Sequence, residues 1–468
     1  MGAHEAGELH AGHRAPSWLR EPDDANALVP RLWPRTVGRD EDGTLRVGGV
    51  RVDEIAREFG TPAYVMDEDD FRARLRAFRD AFAAAFDGAA DVYYGGKAFL
   101  TVAAARWVAE EGVGLDVCTG GELGVALRAG FPPQRMLLHG NNKSTSELAR
   151  AVDAGVGLIV LDSGQEIDRL AALAAGRGVR VPVLLRVTVG VEAHTHEYIA
   201  TAHEDQKFGF SLADGVAADA AAAVLGEPSL ELRGLHSHIG SQIFDTAAFE
   251  VAARRVLGLH AEIRAKHGVE LPELDLGGGY GIAYTTKDDP LSPEDLASGM
   301  AEIVRHECRA YGVPVPRVSV EPGRAIAGPA GFTLYEAGTV KQVALDFGAS
   351  RTYVAVDGGM SDNLRAALYD ADFSCTLASR RSDAPPVLSR VVGKHCESGD
   401  IVVKDEFLPA DVRPGDLVAV PGTGAYCRGM ASTYNHVPRP PVVAVGGGRA
   451  RLIVRRETEE DLLLLDVG

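Results

Sequence analysis

Lys97 closes a short apolar run, Asp91-Val-Tyr-Tyr-Gly-Gly-Lys97, and a helix-like segment from Thr101 to Glu110 follows it. The pattern reads strand, turn, helix. A lysine at the carboxyl end of a buried strand stands at the mouth of a fold, where a desolvated amine can lose its proton and attack a carbonyl. Other chemically capable groups end apolar runs in the same way: Asp116, His139, Arg186, His236-Ser-His238-Ile-Gly240-Ser241, Gly277-Gly278-Gly279-Tyr-Gly281 and Glu321-Pro322-Gly323-Arg324. The glycines let backbone N–H groups approach an anion with no Cβ in the way. A lysine and a phosphate site at one mouth suggest pyridoxal 5′-phosphate (PLP). Carbanion chemistry on PLP requires an acidic partner that keeps its ring nitrogen protonated. Glu321 is the candidate for that partner, His238 for a side chain stacked on the ring, and Arg324 for a cation beside the phosphate glycines. A packed histidine accounts for His-x-His on one strand better than a metal ligand does, and no metal is expected.

Eight apolar runs must position these groups: the one ending at Lys97, Leu115 to Cys118, Met136 to His139, Leu158 to Asp162, Val183 to Val187, Leu232 to His238, Leu274 to Leu276, and Val318 to Glu321. Helical segments lie between most of them. Three open with capping patterns, Ser144-Thr-Ser-Glu147, Ser163-Gly-Gln-Glu166 and Ser292-Pro-Glu-Asp295. Strands alternating with helices imply parallel pairing, and eight such units predict a (β/α)8 barrel, a fold of typically ~250 residues, with a doubly wound open sheet as the rival. In such a barrel the active site is built at the carboxyl ends of the strands, and phosphate sites follow strands seven and eight. The connections Val189 to Ser211 and Gly281 to Ser292 exceed what a connector needs and are expected to cover the site. A helix is expected over Asp69 to Phe86, with Phe71, Leu75, Phe78, Phe82 and Phe86 on one face.

Beyond Arg324 the helical rhythm stops. Period-2 runs at Arg351 to Gly359, Leu388 to Gly393, Pro414 to Gly422 and Arg451 to Val454 predict a second, mostly antiparallel β domain. The expected divisions are a disordered arm over 1–28, strands over 29–66 that join the β domain, the barrel over 67–325, and the β domain over 326–468.

Composition narrows the function classes. A chain of 468 residues favours two domains over one core. Net charge −18, from 66 acidic against 48 basic residues, argues against nucleic acid, whose phosphates call for clustered Lys and Arg. No stretch approaches the ~18 to 20 uninterrupted apolar residues of a membrane span. The first 28 residues lack the apolar core of a signal peptide, and Cys118, Cys308, Cys375, Cys396 and Cys427 form no C-x-x-C pair, so a cytoplasmic protein without disulfides is expected.

Taken in order, Tyr94-Gly-Gly-Lys97-Ala, His238-Ile-Gly240-Ser241, Gly277-Gly278-Gly279, Glu321-Pro322-Gly323-Arg324, His395-Cys396-Glu397-Ser-Gly-Asp400 and Gly424-Ala-Tyr426 resemble the fold-type III PLP-dependent decarboxylases. Asn363-Leu-Arg365-Ala-Ala-Leu-Tyr369-Asp, together with His194 to Thr201 followed by Lys207-Phe-Gly, narrows the resemblance to the diaminopimelate decarboxylase family in its actinobacterial form. The resemblance covers roughly residues 30–465. It implies removal of a carboxylate from meso-2,6-diaminopimelate to give L-lysine and CO2, with Lys97 as the Schiff-base lysine. Asp116, His238, Gly240, Ser241, Gly277 to Gly279, the segment Glu321 to Arg324 and Tyr426 would bind PLP. Arg324, Arg365, Tyr369, Glu397 and Tyr426 would hold the substrate. Cys396 would be the proton donor, delivered to the site of a partner subunit in a homodimer. The chain departs from the family pattern at Gly95, where alanine is usual, at Phe99, where asparagine is, and at Ala366, where proline is common. The rivals are decarboxylation of ornithine or arginine on the same fold, and a PLP-binding regulator without catalysis. The second of these usually lacks the lysine or the cysteine that this chain keeps.

Overall fold

The computed structural model describes residues 15–190, 207–345 and 350–468. It divides into two compact units, one of residues 72–281 and 290–326, the other of the chain up to Phe71 with Ile282–Asp289 and Ala327–Gly468.

The first unit is a closed barrel. Its strands are β1 (Ala90–Gly95), β2 (Gly114–Val117), β3 (Met136–Leu138), β4 (Leu158–Leu161), β5 (Val181–Thr188), β6 (Leu230–His236), β7 (Glu273–Asp275) and β8 (Arg317–Val320). Each pairs in parallel with the next, and β8 returns to β1 with Ser319 opposite Asp91, which closes the ring and excludes the open-sheet rival. The strands are apolar runs because both faces are covered, as parallel sheets require; all four residues of β4 are buried. Ser144 accepts from the Glu147 N–H in a complete capping box, and Ser292 caps its helix through the Asp295 N–H. The pattern at Ser163 is a different matter. Ser163 makes no side-chain cap, and Glu166 turns inward to an ion pair with Lys143 at 2.7 Å. A helix at Glu68–Ala85 carries the expected aromatic face, with Phe78 stacked on Phe82 and Phe82 on Phe86 at 6.4 and 6.3 Å between ring centres. Of the long connection after Val189, residues 191–206, including His194 to Thr201, lie outside the described residues.

The second unit is built on β9 (Gly331–Ala344), β10 (Ser350–Val356), β11 (Pro386–Val392), β12 (Ile401–Pro409), β13 (Leu417–Pro421), β14 (Val442–Gly446) and β15 (Arg449–Val454). The sheet runs β12-β11-β10-β9, then the N-terminal strand Ala63–Asp67, then β14-β15. Pairing is antiparallel except between β10 and β11 and between Ala63–Asp67 and β14. Gly38–Arg39, Leu45–Val47 and Val50–Arg51 form their own three-stranded sheet; Leu45, Val47 and Val50 pack into the same core as Phe332, Leu334, Leu417 and Val443, and the Leu45 N–H bonds the Ala378 carbonyl at 2.8 Å. Within the stretch expected as a disordered arm, Asn26 is buried and exchanges two hydrogen bonds with the Ser382 backbone, at 2.7 and 3.0 Å. One polar anchor of this kind leaves no periodic signal in a sequence. Among the described residues no helix is long and apolar enough to cross a membrane.

Candidate active site

The carboxyl ends of the barrel strands gather the groups expected there. Lys97 is exposed in the turn that follows β1. Gly96 ties this turn to β2 by donating its N–H to the Asp116 carbonyl at 2.9 Å, and a Cβ on Gly96 would lie only 2.8 Å from that oxygen. The departure at Gly95 is harmless, since a methyl there would meet Gly323 Cα at 3.4 Å, an ordinary contact. The Lys97 charge acts on both Asp116 and His238, which places these three groups in one electrostatic neighbourhood.

Beneath them lies a dry cluster contributed by five strands. Glu321, directly after β8, accepts a 2.5 Å hydrogen bond on Oε1 from His139 Nε2, and His236 Nε2 stands 3.5 Å from the same oxygen. Asp116 Oδ1 is 3.8 Å from His139 Nε2. Burial by itself would push Glu321 up, yet His139 and His236 hold it well below the usual carboxylate range. Burial likewise opposes the charge on His139, but the Glu321 and Asp116 carboxylates lift it to about 9. Asp116 is pushed up to about 7, chiefly by burial, and Asp275 well above its ordinary range for the same reason. His236 and His238 go down to about 4 and about 3, first through burial and, for His238, then through Arg186. At neutral pH the cluster therefore holds a His139⁺–Glu321⁻ pair between neutral histidines. His238 Nδ1 accepts the Gly278 N–H at 3.1 Å, which fixes the ring and its tautomer.

The glycine run after β7 is required by its surroundings. Gly279 has φ +105°, and a Cβ on it would lie 2.4 Å from the Gly240 carbonyl. Arg324 is buried and donates from Nη2 to Ser241 Oγ at 2.7 Å, so the ends of β6 and β8 share one cationic corner. These features fit PLP: a cation, a hydroxyl and glycine loops for a phosphate, a neutral imidazole for a ring face, an ionised carboxylate for a ring nitrogen, and an amine for the aldehyde. Both nitrogens of buried His236 and Oδ1 of Asp116 lack hydrogen-bond partners among the described residues, so the cluster keeps unused polar capacity.

In the other unit Arg365, Tyr369 and Tyr426 come together. The Arg365 guanidinium lies over the rings of Tyr284, Tyr369 and Tyr426 at 5.3, 5.4 and 5.7 Å. Tyr426 has φ +58°, an uncommon conformation for a residue without a glycine's freedom, and such outliers cluster at functional positions. Cys396 is exposed and Glu397 half-buried on the loop between β11 and β12. That loop is pinned at both ends. Asp400 accepts the Met360 N–H at 2.6 Å and the His395 N–H at 2.7 Å, and His395 Nε2 bonds Ser361 Oγ at 2.8 Å. His139 follows β3 with no local motif to mark its role, and Tyr284 belongs to no motif at all. The only available signal for Tyr284 was its place in the long Gly281 to Ser292 connection.

A (β/α)8 barrel with a lysine after its first strand, a glycine cradle after its seventh and a carboxylate after its eighth defines the class of fold-type III PLP-dependent decarboxylases. Residues 68–328 match the family "Pyridoxal-dependent decarboxylase, pyridoxal binding domain". Diaminopimelate decarboxylase of Mycobacterium leprae is 55% identical over 475 residues, covering 100% of both chains, and that of Mycobacterium tuberculosis is 57% identical over 444 residues, 94% of this chain and 98% of the relative. The crystal structure of diaminopimelate decarboxylase from m. jannaschii in co-complex with L-lysine superimposes with TM-score 0.84 at 29% identity, over 93% of this chain and 98% of that one. The chain belongs to the diaminopimelate decarboxylase family.

Proposed function

We propose that the protein removes the carboxylate at the D centre of meso-2,6-diaminopimelate, yielding L-lysine and CO2, with PLP as cofactor. The observation that carries this choice over ornithine or arginine is Arg365. It is 6% exposed, its Nε has no hydrogen-bond partner, and no described carboxylate pairs with it. A buried lone cation costs several kcal/mol, which three aromatic faces at about 0.5–2 kcal/mol each offset only in part. The guanidinium is thus prepared for an anion from outside. A diamine-forming substrate has no distal carboxylate to supply one, whereas diaminopimelate does.

Bound PLP supplies an electron sink for the electron pair left on carbon when CO2 departs. The chain's own residues do the rest. Lys97 would anchor the cofactor, and Glu321 would hold the ring-nitrogen proton. Neutral His238 would cover the ring face. Gly240, Ser241, Gly277 to Gly279 and Pro322 to Arg324 would hold the phosphate, and Asp116, 3.8 Å from His139, would border the cofactor. Arg324, Arg365, Tyr369 and Tyr426 orient the substrate carboxylates, and Glu397 takes the distal amine. Cys396 delivers a proton to the reacting carbon from a second subunit, so the working form is a homodimer. A free thiol in that role suits the reducing cytoplasm.

Arg365→Ala is the test. We expect kcat/KM for diaminopimelate to fall at least about 30-fold, the equivalent of losing one partner of a buried charge pair at roughly 2 kcal/mol or more, mostly through KM. Unchanged kinetics, or a variant that prefers the same substrate with the same KM, would remove the basis for the assignment.

A further inference from the structure

We propose that His139 is a positioning residue for the reaction: its Nε2–H, 2.5 Å from Glu321 Oε1, keeps Glu321 ionised and aimed for the cofactor's ring nitrogen. The inference rests on the reading of Glu321 as the ring-nitrogen partner and adds what makes that role possible.

Glu321 stands where a carboxylate is hard to maintain. It is buried, Asp116 from β2 and Asp275 from β7 share its end of the barrel, and the charge on Glu321 opposes ionisation of both. Two carboxylates sharing a dry site ordinarily resolve the conflict by protonating one of them. A protonated Glu321 would donate a hydrogen bond where the ring nitrogen needs an acceptor. Among the neighbouring groups one positive charge touches the carboxylate directly. His236 packs edge-on to His139 at 4.7 Å between ring centres, but burial keeps it neutral near pH 7. Arg186 on β5 also attracts the Glu321 charge, but it makes no hydrogen bond or ion pair to that carboxylate among the described residues. His139 alone sits at hydrogen-bond distance.

Its placement is built in. The His139 N–H bonds the Val117 carbonyl at 2.8 Å, continuing the ladder from β2. The next residue, Gly140, is fixed by Lys143, whose Nζ donates to the Gly140 carbonyl at 2.6 Å, to the Val160 carbonyl of β4 at 2.7 Å and to Glu166 at 2.7 Å. Lys143 and Glu166 are both buried. A fully buried ion pair is weak evidence for stability but holds its geometry closely. Here the geometry it holds is the turn that carries His139.

The experiment compares holoenzymes of wild type, His139→Leu, His139→Gln and Glu321→Gln, measuring kcat against pH, retention of PLP on dialysis against pH, and melting temperature. Without the imidazolium, the Glu321 pKa rises, so the carboxylate is lost at neutral pH and regained only at higher pH. The acidic limb of kcat should therefore move upward by about 1–3 pH units in His139→Leu, with KM little changed, and PLP retention should shift in the same direction. His139→Gln keeps a hydrogen bond without a charge and should show a smaller shift of the same sign. A merely structural role would lower the melting temperature and scale activity down equally at every pH. An unshifted limb in His139→Leu, or in His139→Gln should the leucine variant not fold, overturns the inference while leaving Glu321 in place. Glu321→Gln should be impaired at all pH values, and if it keeps both activity and PLP, the reading of Glu321 fails together with the inference built on it.

Discussion

Lys97→Ala, purified with PLP, should decarboxylate diaminopimelate at least about 10³-fold more slowly than wild type while melting at the same temperature. The two halves of that result have separate causes. Lys97 is exposed in a turn and contributes nothing to the barrel core, so its loss leaves packing intact. Its charge acts on Asp116 and His238 at the mouth of the barrel, the position from which the proposed Schiff-base role would be exercised. Borohydride treatment of the wild type should fix the cofactor to the peptide containing Lys97. Label on Lys143, the buried lysine of the same unit, or on no lysine, would contradict the assignment.

The second large effect concerns Cys396. Cys396→Ala should lower kcat by about 10²- to 10⁴-fold, the usual contribution of a placed general acid. The thiol is exposed, on a loop that Asp400 and His395 tie to Met360 and Ser361, so it is presented outward on a rigid support rather than packed as a core cysteine. A donor presented in this way suits a site on a second subunit. Mixing inactive Lys97→Ala and Cys396→Ala proteins under conditions of subunit exchange should therefore restore activity. Random pairing makes about half the dimers mixed, each with one intact site, so recovery should approach about a quarter of wild type under two-fold symmetry. Exchange demonstrated independently without any recovery would mean that the cysteine acts within its own chain or not at all.

The barrel was legible because each buried parallel strand is an apolar run of its own, bounded by turn residues, and because the caps at Ser144 and Ser292 mark helix starts between them. The strand-end residues were legible for the same reason: once strand ends are located, Lys97, Asp116, His238 and Glu321 must share one mouth. What linked them was not. His139 and Glu321 are 182 residues apart, and no local pattern marks the bond between them. Ser163-Gly-Gln-Glu166 carries the spacing of a capping box, but burial beside Lys143 gives Glu166 a stronger partner than a helix N–H. β9, the longest strand of the second unit, escaped detection because its first five residues are buried in succession, which erases the alternation that identifies a half-exposed strand. Tyr284 sits in a connection with no period at all, and only the ring it lays against Arg365 reveals its place.

The central claim is the choice of substrate, and release of CO2 measures it most directly. Purified protein with PLP, offered meso-diaminopimelate, L-lysine, L-ornithine and L-arginine in separate reactions, should turn over diaminopimelate with kcat/KM at least about 100-fold above any of the others, because a site that holds a distal carboxylate on a buried guanidinium rejects substrates that leave it unpaired. Equal or faster release of CO2 from ornithine, arginine or lysine would contradict the account.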